Sequence, residues 1–488
     1  MSELERLASA CIFPGAAGLV APDWLRREVS DGLGGVVLFS RNVRDRKQLA
    51  ELTAAIHGER ADVLIGIDEE GGDVTRLEAA EGSSYPGNLA LGAADDVELT
   101  ERVAASIGAE LAAVGVNFDL APVADVNTNP RNPVIGVRSF GSDPELVARH
   151  VGAFVTGLQR EGVVACAKHF PGHGATDADS HLELPTVSRS LEELRAEELV
   201  PFRASIAAGV RSIMTAHILV PALDDVPATI SPAHLHVLLR EELGYDGVLI
   251  TDALEMRAIS ATVGVEQGAV LALAAGADAL CLGHDLEGDA VTSVRAAIVG
   301  GVRDGRLSEE RLAESAGRVH AAGEWSHETR TRDAPDPAAG LAAARRALHT
   351  EGDVTLPGPV FVVECVPERT SAADPMRHGL GEMIRARDPQ SGSVRLDGGV
   401  DDVSSLLREA DGRRVVLVVR DVQRHAWERS LAESLLSRIP DAIVVDVGYP
   451  AERVPGAAGY LTTFGAGRAN LVAAAERLGQ TVGSDPAF

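Results

Sequence analysis

Between residues 11 and 283, short apolar, β-branched runs return eight times, each separated from the next by a longer amphipathic segment. The runs are Cys11 to Pro14, Gly35 to Phe39, Val63 to Ile67, Asn117 to Pro122, Val163 to Lys168, Ser212 to Ala216, Gly247 to Thr251 and Ala279 to Leu282. Helical periodicity fills the intervals, for example over Arg46 to His57, Val97 to Val114, Pro144 to Arg160, Leu191 to Ala208, Pro232 to Leu243 and Val265 to Ala275. Strands that lack strict alternation are covered on both faces, and a strand-helix-strand order with such strands requires parallel pairing under flanking helices. Eight repeats predict an α/β fold whose sheet closes as a TIM-like (β/α)8 barrel.

The barrel pattern ends near Gly283 and is followed by helical sequence to about Trp325. Residues 326–337, SHETRTRDAPDP, are charged and proline-bearing without apolar period, which reads as a linker. Beyond it Val360 to Val366, Arg414 to Arg420, Ala442 to Val447 and Tyr460 to Phe464 are strand candidates between helical segments. The expected organisation is a barrel over 1–325, a linker over 326–337 and an open α/β (α/β/α) sandwich over 338–488. No GxGxxG follows the first strand of the sandwich, so dinucleotide binding is not expected there.

Charge narrows the partners. The 488 residues carry 45 Lys and Arg against 72 Asp and Glu, a net charge of -27 that repels phosphate backbones and anionic membrane surfaces. Nucleic acid and membrane are therefore not expected partners. The first residues, MSELERLASACIFPGAAG, have no basic segment followed by a long apolar run, and no stretch reaches the length of a membrane span, so the expected location is the cytoplasm. Cys11, Cys166, Cys281 and Cys365 are scattered through apolar runs and read as buried, reduced thiols.

In a barrel of parallel strands, active sites form at the C-terminal ends of the strands. The polar residues just after the apolar runs are Asp68, Glu69, Glu70 and Arg76, then Asp125, Asn127 and Arg138, then the loop from Lys168, then Thr215 and His217, and Asp252. The loop after the fifth run, KHFPGHGATDADSHLEL over Lys168 to Leu184, packs a lysine, three histidines and two aspartates around two glycines and a proline, a composition too polar for a core. Within it, the spacing of Asp179 and His181 lets the carboxylate take one imidazole N–H, leaving the other ring nitrogen to handle a proton. His169, His173 and His181 also admit a zinc site, against which Pro171-Gly172 prevents a helical HxxxH face and no Cys or Glu completes a ligand set. A purely structural loop is the third reading. Asp252 is open in the same way, as a helix N-cap before Ala253 to Ile259 or as a nucleophile at the barrel mouth.

Taken together, IDEEGGDVTRLE, DLAPVADVN, IGVRSFGSDP, KHFPGHGATDADSHLELP, MTAHILVPALDD, PATISP and ITDALEM resemble the ordered motifs of glycoside hydrolase family 3, in its β-N-acetylglucosaminidase branch. The resemblance runs through most of the barrel, and the Asp-Ser-His within the fourth motif is the branch's proton-transfer dyad. YLTTFGAGRANL resembles the family's accessory domain less specifically. Carried over by position, the resemblance makes Asp252 the nucleophile and His181, oriented by Asp179, the general acid/base. Asp68, Arg76, Arg138, Lys168 and His169 correspond to sugar-binding positions, and His217 to a wall of the site. Glu69 stands where Gln is usual, Asp73 where Arg is usual, Val137 where a polar residue is common and Glu183 where a small one is.

The resemblance implies a retaining exo-β-N-acetylglucosaminidase that works through a covalent glycosyl-aspartate on GlcNAc-bearing glycosides or muropeptides. It requires no metal and no organic cofactor. A phosphorylase sharing the intermediate, a β-glucosidase of the same family and a non-catalytic sugar-binding protein are the alternatives. Because every chemical position precedes residue 255, the second domain is expected to be non-catalytic.

Overall fold

The computed structural model describes residues 1–180, 182–283, 288–331, 333–368, 372–373, 376, 378–400 and 402–480. The chain packs as two compact units. The first consists of Met1–Glu69, Thr100–Ile135 and Ser142–Pro335, the second of Glu70–Leu99, Gly136–Gly141 and Asp336–Phe488. Each unit buries its own core.

All eight apolar runs of the first unit form strands: β1 (Ile12–Phe13), β2 (Gly35–Val37), β3 (Leu64–Ile67), β4 (Phe118–Asp119), β5 (Val164–Phe170), β6 (Ser212–Thr215), β7 (Val248–Ile250) and β8 (Leu280–Cys281). Strands β2 to β7 pair in sequence order as one parallel sheet, and β1 pairs in parallel with β8. Single contacts link the two sets: Val37 donates its N–H to the Pro14 carbonyl at 2.9 Å, and Ile250 bridges to Ala279. The result is a curled parallel sheet whose concave side collects one apolar cluster with members from every strand, among them Phe13, Val37, Leu64, Phe118, Cys166 and Met214. The rings of Phe13 and Phe118 meet edge to face at 6.3 Å. Crowding inside the curl explains Gly35, where an added Cβ would stand 2.1 Å from the Phe13 ring.

Helix Glu309–Thr329 contributes Val319 and Ala322, with Trp325 packed against them, to the same cluster. Ser308 caps it, its hydroxyl accepting the Arg311 N–H at 3.1 Å. This helix runs through the start of the expected linker, and the next one, Pro337–Ala347, begins at its end, so only a few residues around Arg330 to Asp336 separate the two. The segment expected as one helix from Leu191 to Ala208 is broken into Leu191–Ala196 and Leu199–Ala207. Pro201 supplies the reason, since it lacks an N–H and its ring crowds the carbonyl four residues earlier.

In the second unit a six-stranded sheet comprises β9 (His349–Gly352), β10 (Val360–Cys365), β11 (Gly392–Leu396), β12 (Arg414–Val419), β13 (Ile443–Asp446) and β14 (Gly459–Thr462). Its order is β11-β10-β12-β13-β14-β9, parallel except for β9, which runs antiparallel to β14. Alternate strand residues feed two clusters, Val362, Val416 and Val445 on one face and Val363, Leu417 and Val444 on the other, each covered by helices. β9 and β11 lie at the edges, expose polar residues, and so lacked the apolar run by which the other strands were recognised. Among the described residues, no helix is long and apolar enough to cross a membrane.

Candidate active site

Five consecutive strands of the first unit end in polar residues. Beyond β3 stands Asp68, whose Oδ1 lies 2.7 Å from the Nζ of Lys168 at the end of β5. The lysine is 2% exposed, so the pair is made with its ammonium largely out of water, where a charge-assisted bond is strongest. Glu69, the next residue, donates its backbone N–H to Asp119 Oδ1 at 3.0 Å. Burial raises the Asp119 carboxyl well above the usual range.

Asp125, beyond β4, is fully buried and organises the histidine loop. Its Oδ2 lies 2.7 Å from Nδ1 of His169, and its Oδ1 accepts the backbone N–H of His173 at 2.6 Å. The ring of His169 is thereby fixed with Nδ1 toward the carboxylate and Nε2 away from it. His173 points the other way in function: Nδ1 bonds Thr176 Oγ1 at 2.8 Å and Nε2 reaches Ser180 Oγ at 3.2 Å. Burial pushes its pKa down to about 4, which keeps the ring neutral at neutral pH. It is a staple inside the loop. Gly174 lets this loop lie directly on the preceding one, since a Cβ there would stand 1.9 Å from the Val126 carbonyl oxygen.

Asp179 is half-buried near the end of the described part of this loop, and its carbonyl accepts the N–H groups of Leu182 and Glu183 at 3.0 and 3.1 Å. His181 lies outside the described residues. Among the described residues, no three His, Cys, Asp or Glu side chains are gathered in a way that could hold a metal ion. The four cysteines are free and buried, and burial lifts the Cys166 thiol to about 12, far from the thiolate needed for reactivity.

After β7, Asp252 accepts the adjacent Ala253 N–H at 2.8 Å, but no helix begins there. The next helix is Arg257–Ser260, preceded by Met256 as its cap residue, so the N-cap reading of Asp252 fails. The chain around Asp252 is held from β6. His217 is fully buried, its Nε2 lies 3.0 Å from the Ala253 carbonyl oxygen and its Nδ1 2.7 Å from Thr229 Oγ1. Since a carbonyl only accepts, Nε2 is the donor, and His217 anchors the peptide next to Asp252 rather than merely lining a wall.

Arg76 and Arg138 belong to the second unit, as do Glu70 and Asp73. Arg138 makes a fork with Glu70, Nε to Oε2 at 2.9 Å and Nη2 to Oε1 at 2.7 Å, with both side chains buried. Asn88 fixes the same residue by donating to its carbonyl at 2.7 Å. Asp73 accepts the Ala466 N–H at 2.8 Å and pairs with Arg420, which accounts for an acid where the family pattern has an arginine. Asp68, Lys168, His169, Asp179 and Asp252 are all in the first unit. Sequence reasoning collected Asp125 and Glu70 among the strand-end residues but gave them no role. Their signal was the same as that of their partners, a carboxylate just beyond a buried run.

A family model described as glycosyl hydrolase family 3 N terminal domain matches residues 23–322. The beta-hexosaminidase of Thiobacillus denitrificans is 40% identical over 277 residues, covering 55% of this chain and 77% of that protein. Beta-hexosaminidase A of Pseudoalteromonas piscicida is 36% identical over 314 residues, 59% of this chain, and the match spans only about half of that protein, 52%. Among solved structures, a glycoside hydrolase family 3 beta-N-acetylglucosaminidase from Paenibacillus sp. str. FPU-7 superposes with a TM-score of 0.88 at 35% identity, covering 99% of this chain and 98% of that one.

Proposed function

The chain belongs to glycoside hydrolase family 3, and from that premise we propose that it is a retaining exo-β-N-acetylglucosaminidase acting through a covalent glycosyl-Asp252. The observation that carries the reading is the gathering of Asp68, Asp125, Lys168-His169, His217 and Asp252 at the C-terminal ends of β3 to β7. That is where a (β/α)8 barrel forms its active site, and we read the curled sheet as such a barrel and residues 338–488 as the accompanying α/β sandwich. The named activities of the relatives, beta-hexosaminidase and beta-N-acetylglucosaminidase, support the substrate class.

In this mechanism Asp252 attacks the anomeric carbon while His181 protonates the departing oxygen, and His181 then removes a proton from the incoming water that releases the sugar. Asp179 orients His181 and stabilises its imidazolium. Asp68, Lys168 and His169 hold sugar hydroxyls, the first two as a preformed ion pair and the third with its tautomer set by Asp125. His217 keeps the Ala253 peptide, and with it Asp252, in place. Arg76 and Arg138 add guanidinium donors for the sugar, and no metal or organic cofactor takes part. Terminal GlcNAc on muropeptides released in peptidoglycan turnover is the natural substrate we assign, with the reaction in the cytoplasm.

Two measurements test the reading. Aryl glycosides of GlcNAc, glucose and GalNAc are compared for kcat/KM, with GlcNAc expected to lead. A slow fluorinated GlcNAc donor is then used to trap the intermediate, and peptide mapping is expected to find the sugar on Asp252. A label on Asp68 or Asp125 overturns the assignment.

A further inference from the structure

We infer a second binding site, for a small molecule bearing an oxyanion group, at the N-terminal ends of β6 and β7, the opposite end of the curled sheet from the candidate active site. A cavity of about 420 Å³ lies there, walled by the turn Gly209-Val210-Arg211 before β6, by Tyr245 to Val248 at β7 and by Arg318 and Ala322 of helix Glu309–Thr329. Its size falls in the range of pockets that hold small organic ligands, roughly 300–1,000 Å³. The mouth is open, since a Cβ added at Gly209 or Gly244 would meet nothing within 4 Å.

Arg211 makes this more than a surface hollow. Its guanidinium lies 3.9 Å over the ring of Trp325, and its buried Nε finds no acceptor among the described residues. An arginine carries five N–H donors in a planar fork shaped for a carboxylate or phosphate, and a buried donor left without an acceptor is costly. Here the fork is stacked on an indole, and among the described residues no carboxylate pairs with it.

The surrounding charges point the same way. Behind the cavity the fully buried Asp278 serves three guanidiniums at once, Arg240, Arg311 at 2.7 Å and Arg318 at 3.3 Å. Arg311 also meets the exposed Glu314 at 3.5 Å. The remaining acid is Asp246, exposed on the rim. Two guanidiniums of the lining, Arg211 and Arg318, therefore stand against one carboxylate of the lining, Asp246, a local positive excess in a chain whose net charge is -27. The excess falls on Arg211. Tyr245, whose hydroxyl donates to the Val248 carbonyl at 3.0 Å, together with Val210 and Ala322, gives the rest of the wall an apolar character, so the body of the ligand is uncharged.

The site is tested on the full-length chain by calorimetric titration with inorganic phosphate, glucose 6-phosphate and succinate, in GlcNAc at a concentration that fills the sugar site. The three arms separate phosphate from carboxylate and a bare ion from one with an organic body. At least one is expected to bind with a stoichiometry of one. Arg211→Gln is expected to weaken that binding by about tenfold or more, and Asp246→Asn, on an exposed rim residue, to tighten it by about two- to fivefold. Turnover of aryl glycosides is expected to be unchanged in both variants. Absence of binding to the wild-type chain, or an affinity that neither variant moves by as much as twofold, overturns the proposal whichever way the catalytic reading is decided.

Discussion

Asp125 holds His169 by ring and by backbone, with Oδ2 2.7 Å from Nδ1 and Oδ1 accepting the His169 N–H at 3.3 Å. The same carboxylate anchors His173, so one buried acid sets the start of the whole histidine loop. Asp125→Asn keeps the shape but removes the charge from both bonds. The expected loss is about 10- to 100-fold in kcat/KM, as for a hydrogen bond to a charged group worth roughly 1.5–3 kcal/mol. An unaltered kcat/KM on aryl GlcNAc would show that the orientation of His169 is irrelevant to turnover.

His181 is expected to serve as acid and base. His181→Ala should lower kcat by about 10²- to 10⁴-fold on glycosides with poor leaving groups and far less on nitrophenyl glycosides, whose departing oxygen needs little protonation. Asp179→Asn should follow the same pattern with a smaller amplitude. Steady-state kinetics across a leaving-group series checks both, and equal losses throughout the series would indicate a binding role.

His173 is expected to make the fold acid-sensitive. Its pKa in the folded chain, about 4, lies below the ordinary value of 6.5 because burial disfavours the imidazolium. The unfolded chain therefore binds the proton more readily. The stabilising contribution is complete above pH 6.5 and is lost as pH falls from there toward about 4, an effect on the order of 3 kcal/mol. Glu198 works in the opposite sense, since burial raises its carboxyl from 4.5 to about 7 and its contribution fades as pH rises through that interval. Urea unfolding at pH 4.5 and 7 should show that stability at pH 4.5, taken relative to pH 7, is greater by about 2 kcal/mol in His173→Gln than in the wild type, and an identical pH dependence in the two chains would contradict this.

The buried fork of Glu70 and Arg138 is expected to be a strong structural element of the second unit. Glu70→Ala leaves a guanidinium buried without its carboxylate, at a cost of about 3–5 kcal/mol. A double variant, Glu70→Ala with Arg138→Ala, should recover part of that loss because no charge is then stranded. Thermal unfolding of the three variants gives the coupling, and additive losses would mean that the fork is not coupled.

The strands were legible wherever burial on both faces left an unbroken apolar run, as at Val63 to Ile67 or Ala442 to Val445. They were not where an edge strand exposes one side, as at His349–Gly352, because exposure erases the pattern. The helix break at Pro201 was written in the sequence and was overridden by the apolar periodicity around it. Asp68 and Asp252 could be picked out because each stands just beyond a strand, and Lys168 because it ends an apolar run. Asp125 and Glu70 could be seen but not assigned, and His217 was placed only as a wall, since what they do depends on partners dozens of residues away. Least legible was the membership of residues 70–99, which pack with residues 136–141 and with the chain beyond residue 335.

That last feature bears on how the protein is made. The Asp73 carboxylate receives the N–H of Ala466, which lies 393 residues further along the chain. Ser83 accepts from Ala469, and Glu78 pairs with Arg468 at 2.9 Å, over comparable separations. At about 5–20 residues per second, the segment from Glu70 to Leu99 leaves the ribosome roughly 20–80 s before the residues that hold it exist. Through that interval the nascent chain carries an unfinished loop between β3 and β4, open to proteases and chaperones, and the helix Arg468–Arg477 is the one that retires it.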